Sequence, residues 1–326
     1  MAYYIVTGGA GFLGKAIAVR LKAEGHRVLS LSRRAYPELA AMGIESACAD
    51  LGGECAKFER VFEGADAVFH VAAMVEMWGH YQDFFRANVV GARNVVSCCK
   101  KYAVPKLIYT SSPSVIANGA DLCGVDESQP YPTHYEAFYP QTKAQAEREL
   151  LAESSLTFRT IALRPHLIFG PGDTNLVPTV LKKARAGRLL KIGSGKNLSD
   201  FTYIDDCVQA HLCALRALDQ NPTCAGRAYF ISQGDPVPLW EWIDRVLSRN
   251  HIAPVTRQVP IWLATSLASV CENVCRLLPG MPEPPLTRFL VSEMHTSHYF
   301  NIEAAKRELG YRPSVGVWEG LGMTGA

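Results

Sequence analysis

The glycine-rich segment VTGGAGFLG, residues 6–14, constrains the fold of this chain more than any other feature of its sequence. An apolar run at 3–7 predicts a strand before the segment, and an amphipathic pattern at 12–24 predicts a helix after it. Glycine suits a tight turn, a close approach of backbone to phosphate, and close helix–strand packing. The helix N-terminus adds unpaired N–H groups and partial positive charge. This context indicates a loop that binds the pyrophosphate of a dinucleotide, formed by Gly8, Gly11, Phe12, Leu13 and Gly14.

The alternation of strand and helix continues through the first half of the chain. Short apolar runs predict strands at 27–32, 46–49, 67–72, 106–111 and 158–163, and helical patterns occur at 54–62, 84–102 and 139–154. Such alternation implies parallel strands joined by right-handed crossovers. We therefore predict an α/β fold with a doubly wound parallel sheet, the Rossmann arrangement.

The alternation stops after residue 163. Helices are predicted at 177–186, at 205–218 with its aspartates as caps, at 239–249, and within 300–311. A strand at 228–232 could rejoin the sheet. We predict that residues 1–165 and 205–234 form the dinucleotide-binding domain. Residues 166–204 and 235–326 would form a smaller, interleaved C-terminal substrate lobe.

Composition narrows the functional classes. The net charge of +2 gives no reason to expect a nucleic-acid partner, and 48% hydrophobic with 20% charged residues is typical of a globular protein. Ten cysteines without a CxxC pair, and an N-terminus that enters a strand directly, predict a cytoplasmic chain with reduced thiols and no metal site. The basic run at 182–188 is interpreted as a solvated helix face.

The apolar segment at 259–278 is interrupted by Glu272 and Asn273, and it is too short for a membrane span. We expect a buried or pocket-covering helix. A peripheral helix on a membrane surface is the alternative, but its polar face lacks the expected lysines.

The second predicted strand ends in Ser32, Arg33 and Arg34. Enzymes that prefer NAD place a carboxylate there for the ribose 2′-hydroxyl, whereas guanidinium groups suit a 2′-phosphate. NADP is therefore the predicted cofactor, with NAD as the alternative. Asp50 and Leu51, after the third predicted strand, could meet the adenine, although Asp50 could instead cap a helix.

A second group of polar residues follows the fifth predicted strand. Thr110, Ser111 and Ser112 end that strand, and Tyr139 and Lys143 are spaced to share one helix face. A nearby ammonium is expected to lower the pKa of a tyrosine from about 10, which would make Tyr139 a usable acid/base. A serine hydroxyl would hold the substrate oxygen.

Several motifs together resemble the extended short-chain dehydrogenase/reductases: TGGAGFLG (7–14), HVAA (70–73), Asn88, YTSS (109–112), YPQTK (139–143) and LRP (163–165). The resemblance spans essentially the whole chain. It implies Ser112, with Ser111 as the alternative, Tyr139 and Lys143 as the catalytic trio. It also implies that Lys143 binds the nicotinamide ribose. The other cofactor contacts that it implies are Ala72, Ala73, Asn88, Thr110, Ser111, Tyr139, Pro165, His166 and Leu167.

Other motifs look like the 3-beta-hydroxysteroid dehydrogenase branch: FGPGD (169–173), DFTYIDD (200–206), PPLTRF (284–289) and FNIEAAKRELGY (300–311). They are similar to bacterial members that reduce 2-alkyl-3-oxoalkanoic acids. Sugar-nucleotide epimerases usually carry arginine where this chain has Ser199, which disfavours a sugar-diphosphate substrate. The resemblance implies hydride transfer between NADP and a bulky apolar ketone or secondary alcohol.

The substrate side is less specific. Met74, Met77 and Trp78 could line an apolar pocket with the helix at 261–278, or could simply pack in the core. His134 and His166 are interpreted as structural rather than catalytic. A sugar-nucleotide epimerase or dehydratase and a non-catalytic NADP-sensing regulator are the alternative functions. Family precedent also implies a homodimer formed through the helices at 88–102 and 139–154.

Overall fold

The computed structural model describes residues 1–324, so the last two residues of the predicted substrate lobe lie outside the described part. The strands are β1 (Tyr3–Thr7), β2 (Arg27–Ser32), β3 (Glu45–Cys48), β4 (Ala67–His70), β5 (Lys106–Thr110), β6 (Leu122–Val125), β7 (Arg159–Pro165), β8 (Ile168–Phe169), β9 (Lys191–Ile192), β10 (Leu198–Ser199), β11 (Thr202–Tyr203), β12 (Arg227–Ile231), β13 (Val237–Pro238), β14 (Gln258–Val259) and β15 (His298–Phe300).

The α-helices are α1 (Phe12–Ala23), α2 (Pro37–Ala41), α3 (Tyr81–Phe84), α4 (Gly91–Lys101), α5 (Phe138–Ala152), α6 (Leu176–Arg185), α7 (Ile204–Gln220), α8 (Leu239–Arg249), α9 (Ile261–Leu277), α10 (Arg288–His295) and α11 (Val317–Met323). Short 3-10 turns occupy Cys55–Lys57, Glu59–Phe62, Pro113–Ile116 and Pro222–Cys224. Two π-helical segments occupy Phe85–Val90 and Ala305–Leu309.

The central sheet has seven parallel strands in the order β12-β7-β5-β4-β1-β2-β3. Both of its faces are buried: Tyr4 and Val6 belong to the core cluster that includes α1 and α7, whereas Ile5 belongs to the cluster that includes α4 and α5. The strand order reverses between β1 and β4, so their carboxyl ends leave a crevice where such sheets bind ligands. The predicted doubly wound α/β fold is confirmed.

Several local predictions differ from the structure. The helix expected at 54–62 is two 3-10 turns, and the helix expected at 84–102 contains a π-helical segment around Asn88. The aspartates do not cap α7, because its N-cap is Tyr203. Asp206 instead accepts hydrogen bonds from Gln233 and Ser314, which ties the C-terminal segment to the start of α7.

The smaller sheets join segments that are distant in sequence. One has the order β13-β10-β15-β6, and two-stranded pairs join β11 to β8 and β14 to β9. The strand predicted at 228–232 is β12, at the edge of the central sheet. The domain boundaries at 165, 204 and 234 stay a prediction.

The helix expected to be buried at 259–278 is exposed along one side. Within α9, the buried side chains are Ala264, Ala268, Glu272 and Cys275. Ala264 and Ala268 pack with Ile192 and Val291, which places α9 over β9 and α10. In residues 1–324, no helix is both long and apolar enough to cross a membrane.

Candidate active site at the carboxyl edge of the sheet

The glycine loop joins β1 to α1 in a turn that only glycine suits. Gly8 has φ +67°, and a Cβ there would approach the α-carbon of Ala72 to 2.9 Å. A Cβ on Gly14 would lie 2.2 Å from the carbonyl oxygen of Gly8, so the helix packs directly against the loop. Contacts within the chain therefore explain two of the three glycines predicted from sequence.

Gly11 has a different explanation. It is the exposed N-cap of α1, and a Cβ there would meet only the carbonyl oxygen of Gly8, at 3.3 Å. No side chain among the described residues caps this helix, whose first turn starts with Phe12 and Leu13 and has no acidic residue. The N–H groups at the start of α1 are therefore not covered by a side chain at Gly11, and they can be reached by a pyrophosphate.

Arg33 and Arg34 follow β2 at the same edge of the sheet. Both are exposed, and within residues 1–324 neither forms an ion pair or a side-chain hydrogen bond. Ser32 shares a hydrogen bond with Ser30, with 3.2 Å between their hydroxyl oxygens. The two guanidinium groups are therefore available to an anionic ligand.

Asp50 is held by the chain itself. Its carboxylate accepts a 3.1 Å hydrogen bond from the Gly52 N–H and forms an ion pair with Arg86. Asp50 therefore stabilises a turn. It does not cap a helix, which was the alternative interpretation from sequence. The Leu51 side chain is buried in the core, and its carbonyl accepts a hydrogen bond from Asn94.

The segment after β4 is anchored by Thr7 and Asn88. The Ala72 N–H donates to the Thr7 hydroxyl at 3.2 Å, which keeps Ala72 beside Gly8; Ala73 follows, half-buried. The Asn88 amide accepts from the Met74 N–H at 2.8 Å and donates to the Met74 carbonyl at 3.1 Å and to the Thr142 hydroxyl at 3.0 Å. Both amide hydrogens of Asn88 thus bind protein atoms, so its side chain links the β4 segment to α5.

The end of β5 brings three polar side chains to the site. Thr110 hydrogen-bonds His211 at 2.8 Å and directs its carbonyl to Lys143. The hydroxyl of Ser111 is buried and has no hydrogen-bond partner within residues 1–324. Ser112 is partly exposed, and its hydroxyl oxygen accepts a 3.2 Å hydrogen bond from the Ser114 N–H. Of the two serines, only Ser112 is near enough to Tyr139 to affect the pKa of its phenol.

Tyr139 and Lys143 lie one turn apart on α5, on the side that faces β5. The Lys143 ammonium donates a 2.6 Å hydrogen bond to the Thr110 carbonyl and lies 4.0 Å from the ring centroid of Tyr109. Lys143 is fully buried, whereas Tyr139 as a whole residue is half-buried. The structure therefore brings Ser112, Tyr139 and Lys143 to the same part of the sheet edge.

The electrostatics of this trio differ from the expectation. Burial raises the pKa of Tyr139; the polar hydroxyl of nearby Ser112 works against this shift, and the charge of Glu293 adds to it. Burial lowers the pKa of Lys143 to about 7, opposed by Glu147. Near neutral pH Lys143 is therefore only partly charged, and its proton donors are directed at the Thr110 carbonyl. The pKa of Tyr139 is therefore raised rather than lowered as expected, because burial of the phenol outweighs the opposing effect of Ser112.

Sequence reasoning missed two carboxylates near the trio. Glu293 comes from α10, far along the chain, and acts on Tyr139 through space. Glu147 continues the Tyr139–Lys143 face by one more turn and is fully buried, with Arg164 at 2.6 Å and the Tyr131 hydroxyl also at 2.6 Å. The spacing of Glu147 could have indicated its place, whereas nothing in the sequence joins Glu293 to α5.

The segment after β7 closes the other side of the crevice. Leu167 has φ +33°, a strained conformation for leucine that is typical of functional loops. Thr202 holds the segment by donating a 2.6 Å hydrogen bond to the His166 carbonyl. Pro165 and His166 are buried, and burial lowers the pKa of His166 to about 3, so this ring is neutral. His134 is exposed.

The loop after Ala73 carries the expected apolar residues. Met74 is half-buried and Met77 is exposed, so neither is ordinary core packing. Trp78 donates a 3.1 Å hydrogen bond to the Met281 carbonyl, which attaches the loop to the segment after α9. The apolar loop and the α9 region are therefore adjacent, as a shared pocket would require.

The parallel sheet and the side chains at its carboxyl edge define an α/β protein of the short-chain dehydrogenase/reductase class. A model of the 3-beta hydroxysteroid dehydrogenase/isomerase family matches residues 5–258. The chain belongs to this family.

Curated relatives agree with this assignment. The chain is 42% identical over 320 residues to the 2-alkyl-3-oxoalkanoate reductase of Stenotrophomonas maltophilia (strain K279a), covering 97% of this chain and 96% of that protein. It is 34% identical over 328 residues to the decarboxylating sterol-4-alpha-carboxylate 3-dehydrogenase of Bos taurus, covering 98% and 90%. The chain is an NAD(P)-dependent dehydrogenase/reductase that acts on CH–OH groups.

Solved structures show the same fold. MoeE5 in complex with UDP-glucose and NAD superimposes with a TM-score of 0.75 at 22% identity, covering 99% of this chain and 97% of that one. The UDP-glucose 4-epimerase of Thermotoga maritima gives 0.75 at 20% identity, covering 98% and 96%. At these identities the likeness concerns the fold alone.

Proposed function

We propose that this protein is an NADP-dependent oxidoreductase that interconverts a ketone and a secondary alcohol on a bulky apolar substrate. The substrate would be a 2-alkyl-3-oxo acid or a compound of the 3-beta-hydroxysteroid type. The observation that carries the proposal is the arrangement of Tyr139 near Ser112 and one helical turn from the buried Lys143, at the same sheet edge as the glycine loop. The relative with 42% identity, named as a 2-alkyl-3-oxoalkanoate reductase, supports the first substrate class.

The residues at the carboxyl edge fit a dinucleotide. Gly8, Gly11 and Gly14, with the first amides of α1, would hold the pyrophosphate, and the free guanidinium groups of Arg33 and Arg34 would bind a 2′-phosphate. The unpartnered hydroxyl of Ser111 is available to a bound group. When bound, the nicotinamide supplies or accepts the hydride.

Tyr139 would handle the proton. Because its pKa is raised, the phenol stays protonated at neutral pH, which is the form that can protonate a carbonyl oxygen. Ser112 is anchored by the Ser114 N–H, so its hydroxyl would donate to the same oxygen and hold it near Tyr139. A protonated Tyr139 suits reduction of a ketone better than oxidation of an alcohol, which requires a base.

Lys143 would act as a positioning group and a proton reservoir. With a pKa of about 7 it exchanges protons easily at neutral pH, and its hydrogen bond to Thr110 fixes α5 against β5. Its own charge does not activate Tyr139 in this structure. The Lys143 ammonium that donates to the Thr110 carbonyl is also the group that would bind the nicotinamide ribose.

An apolar substrate is favoured by the surroundings of the site. Met74 and Met77 lie in the loop after β4, and Phe138, next to Tyr139, packs against Tyr81 with ring centroids 5.5 Å apart. Ser199 is buried and shares a 3.3 Å hydrogen bond with His166, so it is not available to a sugar diphosphate.

The decisive experiment follows NADPH absorbance with three substrates: a 3-ketosteroid, a 2-alkyl-3-oxo acid and a nucleotide sugar. Turnover of the 2-alkyl-3-oxo acid or the ketosteroid is expected, with little oxidation of NADPH by the sugar. Activity on the nucleotide sugar alone would identify an epimerase or dehydratase and refute the proposal. NADPH binding without turnover of any substrate would favour the NADP-sensing regulator.

A further inference from the structure

Helix α9 presents its large apolar side chains to solvent. Its buried positions are mostly small, Ala264, Ala268 and Cys275. Trp262 is 70% exposed, Val270 60% and Leu277 87%. A surface helix of a globular protein normally turns its large apolar side chains inward. Helix α9 instead buries small residues and exposes large apolar ones.

The exposed apolar residues form one stripe. With 100° of rotation per residue, Trp262, Val270, Val274 and Leu277 fall within about 120° of the helix circumference. The 17-residue helix is about 25 Å long. We call these four residues the α9 stripe. A contiguous apolar surface of this length marks an interaction site.

The loop after β4 extends this surface. Val75 is 52% exposed and Met77 42%. The hydrogen bond from Trp78 to the Met281 carbonyl holds the loop beside the C-terminal end of α9. Arg276 lies over the Trp78 ring, 5.4 Å from its centroid, and supplies a positive charge at that end.

Positive charge comes to α9 from another part of the chain. Residues 176–197 contain six lysines and arginines and no aspartate or glutamate. The pairing of β9 with β14 places this segment next to the start of α9, and the Lys191 N–H donates to the Arg257 carbonyl at 3.0 Å. Arg185, Arg188 and Arg257 are exposed. Neighbouring segments therefore add positive charge to the one cation that α9 itself carries, Arg276.

Carboxylates are fewer than cations around this surface: Glu76 and Glu283 are exposed in the adjoining loops, against the exposed Lys182, Arg185, Arg188, Lys196 and Arg257. Glu272, the one acidic residue of α9, is buried on the opposite side and bound by Arg288 at 2.9 Å. An apolar stripe with cations near both of its ends has the character of a helix that lies in the interface of a membrane with anionic lipids.

We propose that the α9 stripe, with Val75 and Met77, docks the protein on the surface of an anionic lipid bilayer. Charge decides between a bilayer and a second copy of this chain. A twofold contact centred on the cationic patch would bring cations against cations, because residues 176–197 offer no carboxylate. Anionic headgroups complement both parts of the surface.

The test uses flotation of the full-length protein with two kinds of vesicle, one of phosphatidylcholine and one of phosphatidylcholine mixed equally with phosphatidylglycerol. Wild-type protein should float with the mixed vesicles at least about tenfold more than with the neutral ones. Val270→Glu combined with Leu277→Glu should abolish flotation. Leu156→Glu is the matched control, because Leu156 is 97% exposed and lies in the connection between α5 and β7.

Two further measurements complete the test. Arg185→Gln with Arg188→Gln should lower binding to the mixed vesicles, and added salt should do the same to the wild type. Circular dichroism and NADPH binding confirm that each variant is folded. The proposal is overturned by equal flotation of wild type and the Val270/Leu277 variant. It is also overturned if the wild type does not float with either kind of vesicle and light scattering shows that the Val270/Leu277 substitutions convert an oligomer into monomers.

Discussion

Replacing Arg33 and Arg34 together by alanine should weaken the binding of NADPH about a hundredfold while changing that of NADH less than about threefold. Both side chains are exposed and lack ion-pair partners in residues 1–324, so their removal leaves no buried charge behind. A charge-assisted hydrogen bond contributes about 1.5 to 3 kcal/mol, and exposure to solvent favours the lower end. Two such contacts amount to about 3 kcal/mol, and every 1.4 kcal/mol corresponds to tenfold in affinity.

The assay is an equilibrium titration of nucleotide fluorescence, which needs no knowledge of the substrate. Arg20→Ala with Lys22→Ala is the control, because it removes the same two charges from the opposite end of α1. NADPH affinity should also fall with salt in the wild type and much less in the Arg33/Arg34 variant. Equal losses for NADPH and NADH would refute the assignment of these arginines to a 2′-phosphate.

Three further results are expected. Tyr139→Phe should lower turnover by about two to four orders of magnitude with cofactor affinity nearly unchanged; unaltered turnover in steady-state kinetics would remove Tyr139 from the mechanism. Glu293→Gln should lower the pKa of Tyr139, because that carboxylate helps to raise it, and should move the alkaline limb of the pH–rate profile to lower pH. A limb that stays in place would contradict this coupling. Lys143→Met should increase the free energy of unfolding, relative to the wild type, most strongly below pH 7. The pKa of Lys143 is about 7 in the folded protein and 10.5 in its ordinary state, so between these pH values the unfolded wild type binds one more proton than the folded wild type. Wild-type stability, measured by urea unfolding, should therefore gain on the variant as pH rises from 7 to 10.5, and a constant difference would disprove the depressed pKa.

The sequence was sufficient to predict the sheet and the backbone geometry of the glycine loop. Gly8 and Gly14 were assigned from spacing, and the structure shows that a Cβ at either position would collide with backbone. The seven-stranded parallel sheet followed from strand–helix alternation, because a parallel strand can be reached only by a crossover. Helical period alone placed Tyr139 and Lys143 on one face.

The pKa values of Tyr139 and Lys143 could not be predicted from the sequence. The pKa of Lys143 depends on its complete burial against Thr110 and Tyr109, and that of Tyr139 on Glu293 from α10. Desolvation and through-space charge depend on which segments pack together, and spacing along the chain does not contain that information.

Helix α9 also shows which properties the sequence determines and which depend on tertiary packing. Its sequence indicated that the segment is apolar and too short to span a bilayer, and predicted a buried or pocket-covering helix. Only the tertiary structure decided that the small residues face Ile192 and Val291 while Trp262 and Leu277 face outward. The period of a helix fixes which residues share a face, whereas the partner of that face is fixed by packing with the rest of the chain.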